Sequence, residues 1–144
     1  MPAMNIANGP AMLYPMFALA ALTAAVLGLV PITRVRAGQR GELQVDDFKY
    51  GESSAVPPQV SIPNRNYMNL LEFPVLAYIA CLTAYVASDV TMLMVQTAWA
   101  YVAMRVVHSA IHLTYNRVAH RALVFGASNF VLVTLWVQVG VHLR

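Results

Sequence analysis

Arg105, His108, His112 and Tyr115 follow one another at i, i+3, i+7 and i+10 inside a long apolar run. That spacing sets them on one side of an α-helix, and Tyr101 extends the stripe. Upstream, NRNYMNLLEFP carries Arg65, Asn69 and Glu72 at i, i+4 and i+7, a second one-sided stripe. Charged groups within an apolar span are costly and face a bundle interior or a wet cavity rather than lipid. Two such stripes on adjacent helices therefore predict a shared polar pocket. Arg65, Asn69, Arg117 and Arg121 cluster at one membrane boundary, and arginines in that number suit an anionic ligand bearing carboxylates.

Plainer readings of the same residues stand beside this one. Glu72 and Arg105 could form a buried ion pair whose loss would strand a charge, a role compatible with function. Each boundary arginine alone reads as a topology anchor that snorkels towards water. His108 and His112 have the i, i+4 spacing of a zinc-binding helix. However, the stretch reads HSAIH, no Glu follows His108 and no cysteine is near, whereas zinc needs three or four ligands. No metal site is expected, and His120 and His142 are read as interfacial and solvated.

Composition says what must hold these side chains. The chain has 144 residues, of which 59% are hydrophobic and only 10% charged, against about 25% charged in a soluble domain. Four apolar stretches stand out, roughly 11–34, 62–87, 90–116 and 119–142, each close to the ~20 residues that cross a bilayer core. Backbone polar groups in lipid must be paired internally, so the stretches are helices, and the β-barrel alternation is absent. The fold class expected is all-α: an integral membrane, antiparallel four-helix bundle in a single domain, 1–144, with one long loop at 35–61. The first stretch is not preceded by Lys or Arg and exceeds a signal-peptide core, so it reads as an uncleaved anchor. Arg34, Arg36, Arg40, Lys49, Arg65, Arg117 and Arg121 fall at one side, and Arg144 alone at the other. The positive-inside rule then puts the basic loops in the cytoplasm and both termini outside. The lone Cys81 reads as a buried small hydrophobe, and a net charge of +3 placed by topology gives no sign of nucleic-acid binding.

Taken together, these residues resemble the membrane-associated proteins in eicosanoid and glutathione metabolism, the MAPEG family. The family's second helix carries Arg, then Asn four residues on, then Glu three further on, as do Arg65, Asn69 and Glu72, with Pro74 shortly after. Its third helix carries Arg-x-x-His, an aromatic residue four later and an arginine nine beyond; Arg105, His108 and Arg121 match. RVVHSAIHL and the TRVR that holds Arg34 and Arg36 look much like stretches of its prostaglandin-synthase members, and the likeness covers nearly the whole chain.

The resemblance implies a homotrimer that binds glutathione between subunits near the cytoplasmic side. It implies contacts from Arg65, Asn69, Glu72, His108, His112 and Arg121, with Arg34, Arg36 and Arg117 as further cationic candidates and Arg105 bracing the polar core with Glu72. Arg121 takes the catalytic role, stabilising the glutathione thiolate for attack on a lipophilic electrophile that enters from the membrane lipid. The sequence departs from the family at His112, where Tyr is usual, at Met68, where a second arginine stands, and at Phe125, where prostaglandin synthases carry Tyr. Three functions follow for testing: a glutathione transferase or peroxidase, supported by Arg121; a non-catalytic scaffold for lipid or a partner, supported by the three departures; and a proton-coupled transporter using Glu72 and the histidines, which lacks broken helices or repeats in the sequence.

Overall fold

The computed structural model describes residues 9–143. Among them the chain is helical, with an isolated bridge between Lys49 and Gly51 and no strand. The helices are α1 (Leu13–Gln39, entered through a 3-10 turn at Pro10–Met12), α2 (Pro58–Leu71), α3 (Pro74–Val86), α4 (Met92–Leu113) and α5 (Val118–His142). α2 and α3 are two halves of one span, so the molecule is a bundle of four.

The spans Pro10–Gln39, Pro58–Val86 and Val118–His142 are long and apolar enough to cross a membrane. α4 is not among these three. Four of the polar side chains that lower its hydropathy, Arg105, His108, Ser109 and His112, are buried in the bundle. α4 lies along α5 and also packs on α1 and α2, which makes it the axial helix. The other helices turn large apolar side chains outward, among them Phe17, Leu82, Leu123 and Phe130. Exposed apolar area on this scale needs lipid or protein to cover it.

The second span is not the continuous helix expected over 62–87. It begins earlier, at Pro58, and breaks at Glu72, whose ψ of −102° leaves the helical region. Pro74 is the cause: it has no N–H, and its ring cannot follow the carbonyl four residues back. The chain re-enters α3 with Pro74 in the first turn, where proline is tolerated. The break redirects the chain after Glu72, which stays on the outward side of α2 with Arg65, both exposed.

Beyond the break, Ala77, Ala80, Cys81 and Ala84 are buried along α3, small side chains that let its backbone approach its neighbours. Ala80, Cys81 and Ala84 pack with Met12, Met94, Ala98, Leu135 and Val139 near the α3–α4 turn. Leu19, Ala77, Tyr101, Val102 and Leu132 form the adjoining layer. Both short turns use a left-handed residue, Ser88 at φ 57° and Asn116 at φ 46°. Thr91 then caps α4 by accepting from the Met94 N–H at 3.2 Å.

α1 runs past its expected end and carries Arg36 on helix rather than loop. It stops in a Schellman arrangement, with the Glu42 N–H donating to Ala37 O at 3.0 Å and the Gly41 N–H to Gly38 O at 2.9 Å. Gly41 sits at φ +72° and an added Cβ would meet nothing within 4 Å. Gly41→Ala therefore carries backbone strain alone. It should cost about 1 kcal/mol, read as a small drop in thermal midpoint in detergent; an unchanged midpoint would mean the left-handed cap is not used. The connection to α2 is ordered by a small cluster of Ala37, Val56 and Val60 with Leu43 and Phe48.

Candidate functional site

Pro74 leaves the last turn of α2 with carbonyls that no downstream N–H can reach, and in a membrane such groups need partners. Arg105 supplies one. It is fully buried, and its Nη2 donates to the backbone oxygen of Asn69 at 3.2 Å and, by a short contact, to the Asn69 side-chain oxygen. The expected Arg105–Glu72 ion pair does not form. Glu72 lies with Arg65 on the outward face of α2 and is exposed, and the two ion pairs among the described residues are Arg34–Glu52 and Arg40–Glu42. Arg105 does brace the second span, through Asn69 rather than a carboxylate.

One and two turns further along α4 come His108 and His112, both buried, with ring centres 5.9 Å apart. Phe125 of α5 lies against this group: its ring centre is 6.0 Å from that of His108 and 5.8 Å from the Arg105 guanidinium carbon. Phe73, at the break, meets Phe125 edge-on at 5.5 Å. Arg121 enters from the first turn of α5. Its Nη1 donates to Asn116 Oδ1 at 2.7 Å and lies 3.3 Å from His112 Nε2.

A cleft of about 180 Å³ opens here, lined by Asn69, His108, Val118, Arg121, Ala122 and Phe125. Nitrogens of Arg105 (Nε and Nη1), His108 (Nδ1) and His112 (Nδ1) are buried without a hydrogen-bond partner. Buried donors and acceptors are rarely left so, which marks this wall as suited to a polar ligand. Asn116 connects the site to a second, larger cleft of about 540 Å³ at the loop end, lined by Glu52, Ser53, Ser61, Arg65 and Asn116 among others.

The bundle thus gathers Asn69, Arg105, His108, His112 and Arg121 from three helices. It does not bring the remaining expected residues to them. Arg65 is exposed and faces the larger cleft, because α2 turns its neighbour Asn66 inward instead. Arg34 is taken by the loop: it pairs with Glu52 at 3.1 Å and stacks over Phe48 at 4.4 Å. Arg36 and Arg117 are exposed and make no side-chain hydrogen bond among the described residues. The fully buried Asn66, which accepts from Ser109 Oγ at 3.2 Å, and Asn116 were not anticipated. Asn66 lies three residues before Asn69, a spacing on which it could have been found. Asn116 is visible only once the turn is built.

His120 accompanies Tyr115 at 3.2 Å on the exposed side of this end. Among the described residues no group of three His, Cys, Asp or Glu comes together. Arg144, expected alone on the opposite side, lies outside the described residues.

The sequence pattern of the MAPEG family matches residues 12–141, taking in every helix and the whole polar wall. No curated protein and no solved structure matches the chain. On a match of this extent, the chain belongs to the MAPEG family.

Proposed function

We propose that this membrane protein activates the thiol of glutathione for attack on lipophilic electrophiles, as a transferase or peroxidase. Family membership supports a membrane glutathione-related transferase or related function in general. The observation that carries the finer reading is Arg121: a half-buried guanidinium on the wall of the cleft, held at Nη1 and facing the same space as His108 and Asn69.

A free thiol ionises near about 8.5, so little thiolate exists at neutral pH. A fixed cation beside the sulfur favours the ionised form, and the proton leaves to water. Arginine serves well because it stays charged and presents several donors. The unpartnered nitrogens of Arg105 and His108 suit the peptide's polar groups, and Arg65 on the neighbouring cleft suits a carboxylate. Phe125 and Phe73 offer the electrophile an apolar approach from lipid. The thiolate then displaces a leaving group from carbon, or attacks a hydroperoxide oxygen and breaks the O–O bond, giving the sulfenic acid and an alkoxide that takes a proton from water; a second glutathione turns the sulfenic acid into disulfide and water.

In this reading the loop end is cytoplasmic, both termini are outside, and the chain assembles as a trimer. Assembly would cover the outward Arg65 and Glu72 and let Glu72, Arg36 or Arg117 take part in ligand binding.

The test is a glutathione titration of the purified protein in detergent, following ultraviolet thiolate absorbance at neutral pH. A saturable signal is expected. Its absence at millimolar glutathione would favour the second reading, a non-catalytic lipid- or partner-binding scaffold. The observation for that alternative is Phe125, which gives the cleft a ring where a hydroxyl would help a reaction.

A further inference from the structure

We infer that His112 is a positioning residue, acting as an uncharged hydrogen-bond acceptor that aims Arg121 into the cleft; this rests on the thiolate role proposed for Arg121. A guanidinium has donors and no acceptor. The 3.3 Å contact between Arg121 Nη1 and His112 Nε2 therefore runs from arginine to histidine, and Nε2 must present a lone pair. The ring proton of His112 is then on Nδ1, which is buried.

The second acceptor is Asn116 Oδ1, at 2.7 Å from the same nitrogen. His112 is in the last turn of α4, Asn116 is the left-handed residue of the turn that follows, and Arg121 is in the first turn of α5. Two acceptors on one side of the chain reversal thus hold one cation on the other. With Nη1 engaged, Nε and Nη2 of Arg121 make no hydrogen bond among the described residues and can meet a ligand.

The charged and titratable neighbours of His112 are Arg121 from α5, Arg65 from α2 and His108 on α4 itself, with Arg105 beyond His108. No carboxylate pairs with it among the described residues. Protonating His112 would destroy the acceptor and place another positive charge beside Arg121. Acid would therefore release Arg121, and thiol activation would show a step linked to His112 as well as one linked to the thiol.

Two measurements decide it. Nitrogen-15 spectra of histidine-labelled full-length protein in detergent should show two histidines with a protonated Nδ1 and a bare Nε2: His142, whose Nδ1 donates to Gln138 O at 2.9 Å, and a second signal from His112. That signal should be absent in His112→Gln and should revert to the ordinary tautomer mixture in Arg121→Ala. Thiolate absorbance against pH should show His112→Leu lowered about tenfold at neutral pH, the worth of one charge-assisted hydrogen bond. His112→Gln, whose amide oxygen accepts at any pH, should restore the signal and lose the histidine-linked acid step. A protonated Nε2 on His112 in the unaltered protein overturns the inference, as does His112→Leu with unchanged thiolate and pH profile. If the unaltered protein forms no thiolate but shows the expected tautomer, the functional reading falls while the acceptor contact stands. The tautomer reading requires no variant to fold.

Discussion

Arg121→Ala is expected to lower glutathione-dependent turnover by about two to three orders of magnitude at neutral pH, the usual effect of removing a donor aimed at developing negative charge. The loss should fall mainly on kcat, because the other polar groups of the wall remain to bind the peptide. Arg121 is half-buried at the first turn of α5 and ties down a turn rather than a core layer. Stability in detergent should therefore change by roughly 1 kcal/mol or less, the worth of one lost hydrogen bond. Arg121→Lys should recover part of the rate, since a point charge replaces the charge but not the forked donor geometry that reaches Asn116 and the ligand together. The check is a rate measurement with an aryl halide over a range of glutathione concentrations, with thiolate absorbance on the same samples. Turnover equal to that of the unaltered protein would remove Arg121 from the chemistry.

The second large effect is on the fold. Arg105→Ala should destabilise the bundle by about 2–4 kcal/mol, from the lost charge-assisted hydrogen bonds and the space left by a large buried side chain. The mutation leaves the Asn69 carbonyl, freed by the break at Pro74, without a donor in a region that excludes water. It also opens a cavity at one of the largest fully buried side chains. Asn69→Ala should cost less, about 1–2 kcal/mol, because Arg105 keeps the backbone oxygen and loses only the side-chain partner. The comparison is made by thermal or dodecyl-sulfate unfolding followed by helical circular dichroism. Equal costs for the two variants would mean that the carbonyl contact carries no weight. A small cost for Arg105→Ala would mean that Arg105 does not brace the break.

These two arginines also show how far the chain could be read before it was folded. Both were identifiable because a guanidinium in an apolar run has few tolerable positions, and the i, i+3, i+7 spacing put Arg105, His108 and His112 on one side of a helix whatever its neighbours. The bundle keeps all three inside. Partners were a different matter. Glu72 was assigned to Arg105 by charge and helical spacing, yet spacing does not say which face of a helix turns inward, and Glu72 follows Arg65 to the outward side of α2. The same limit applied to Arg65 and Asn66. Adjacent residues lie about 100° apart around a helix axis, and which of them turns inward depends on how α2 is rotated against α4. Ser109 receives Asn66, and Arg65 is left on the surface.

Arg34 illustrates a further case. Its charge and place after the first span were legible as a basic anchor, but its partners Glu52 and Phe48 come from a loop whose path only packing on Ala37 and Val60 defines. The sequence by itself therefore determined the helices, their membrane character and the residues too polar to face lipid. Each of these follows from local composition and from the need of backbone groups for partners in an apolar medium. The tertiary structure decided which polar atoms meet, Arg105 with Asn69 and Arg121 with His112 and Asn116. Those contacts depend on helix rotation, on one proline break and on one left-handed turn, and a few degrees or a single residue in any of them changes the partner.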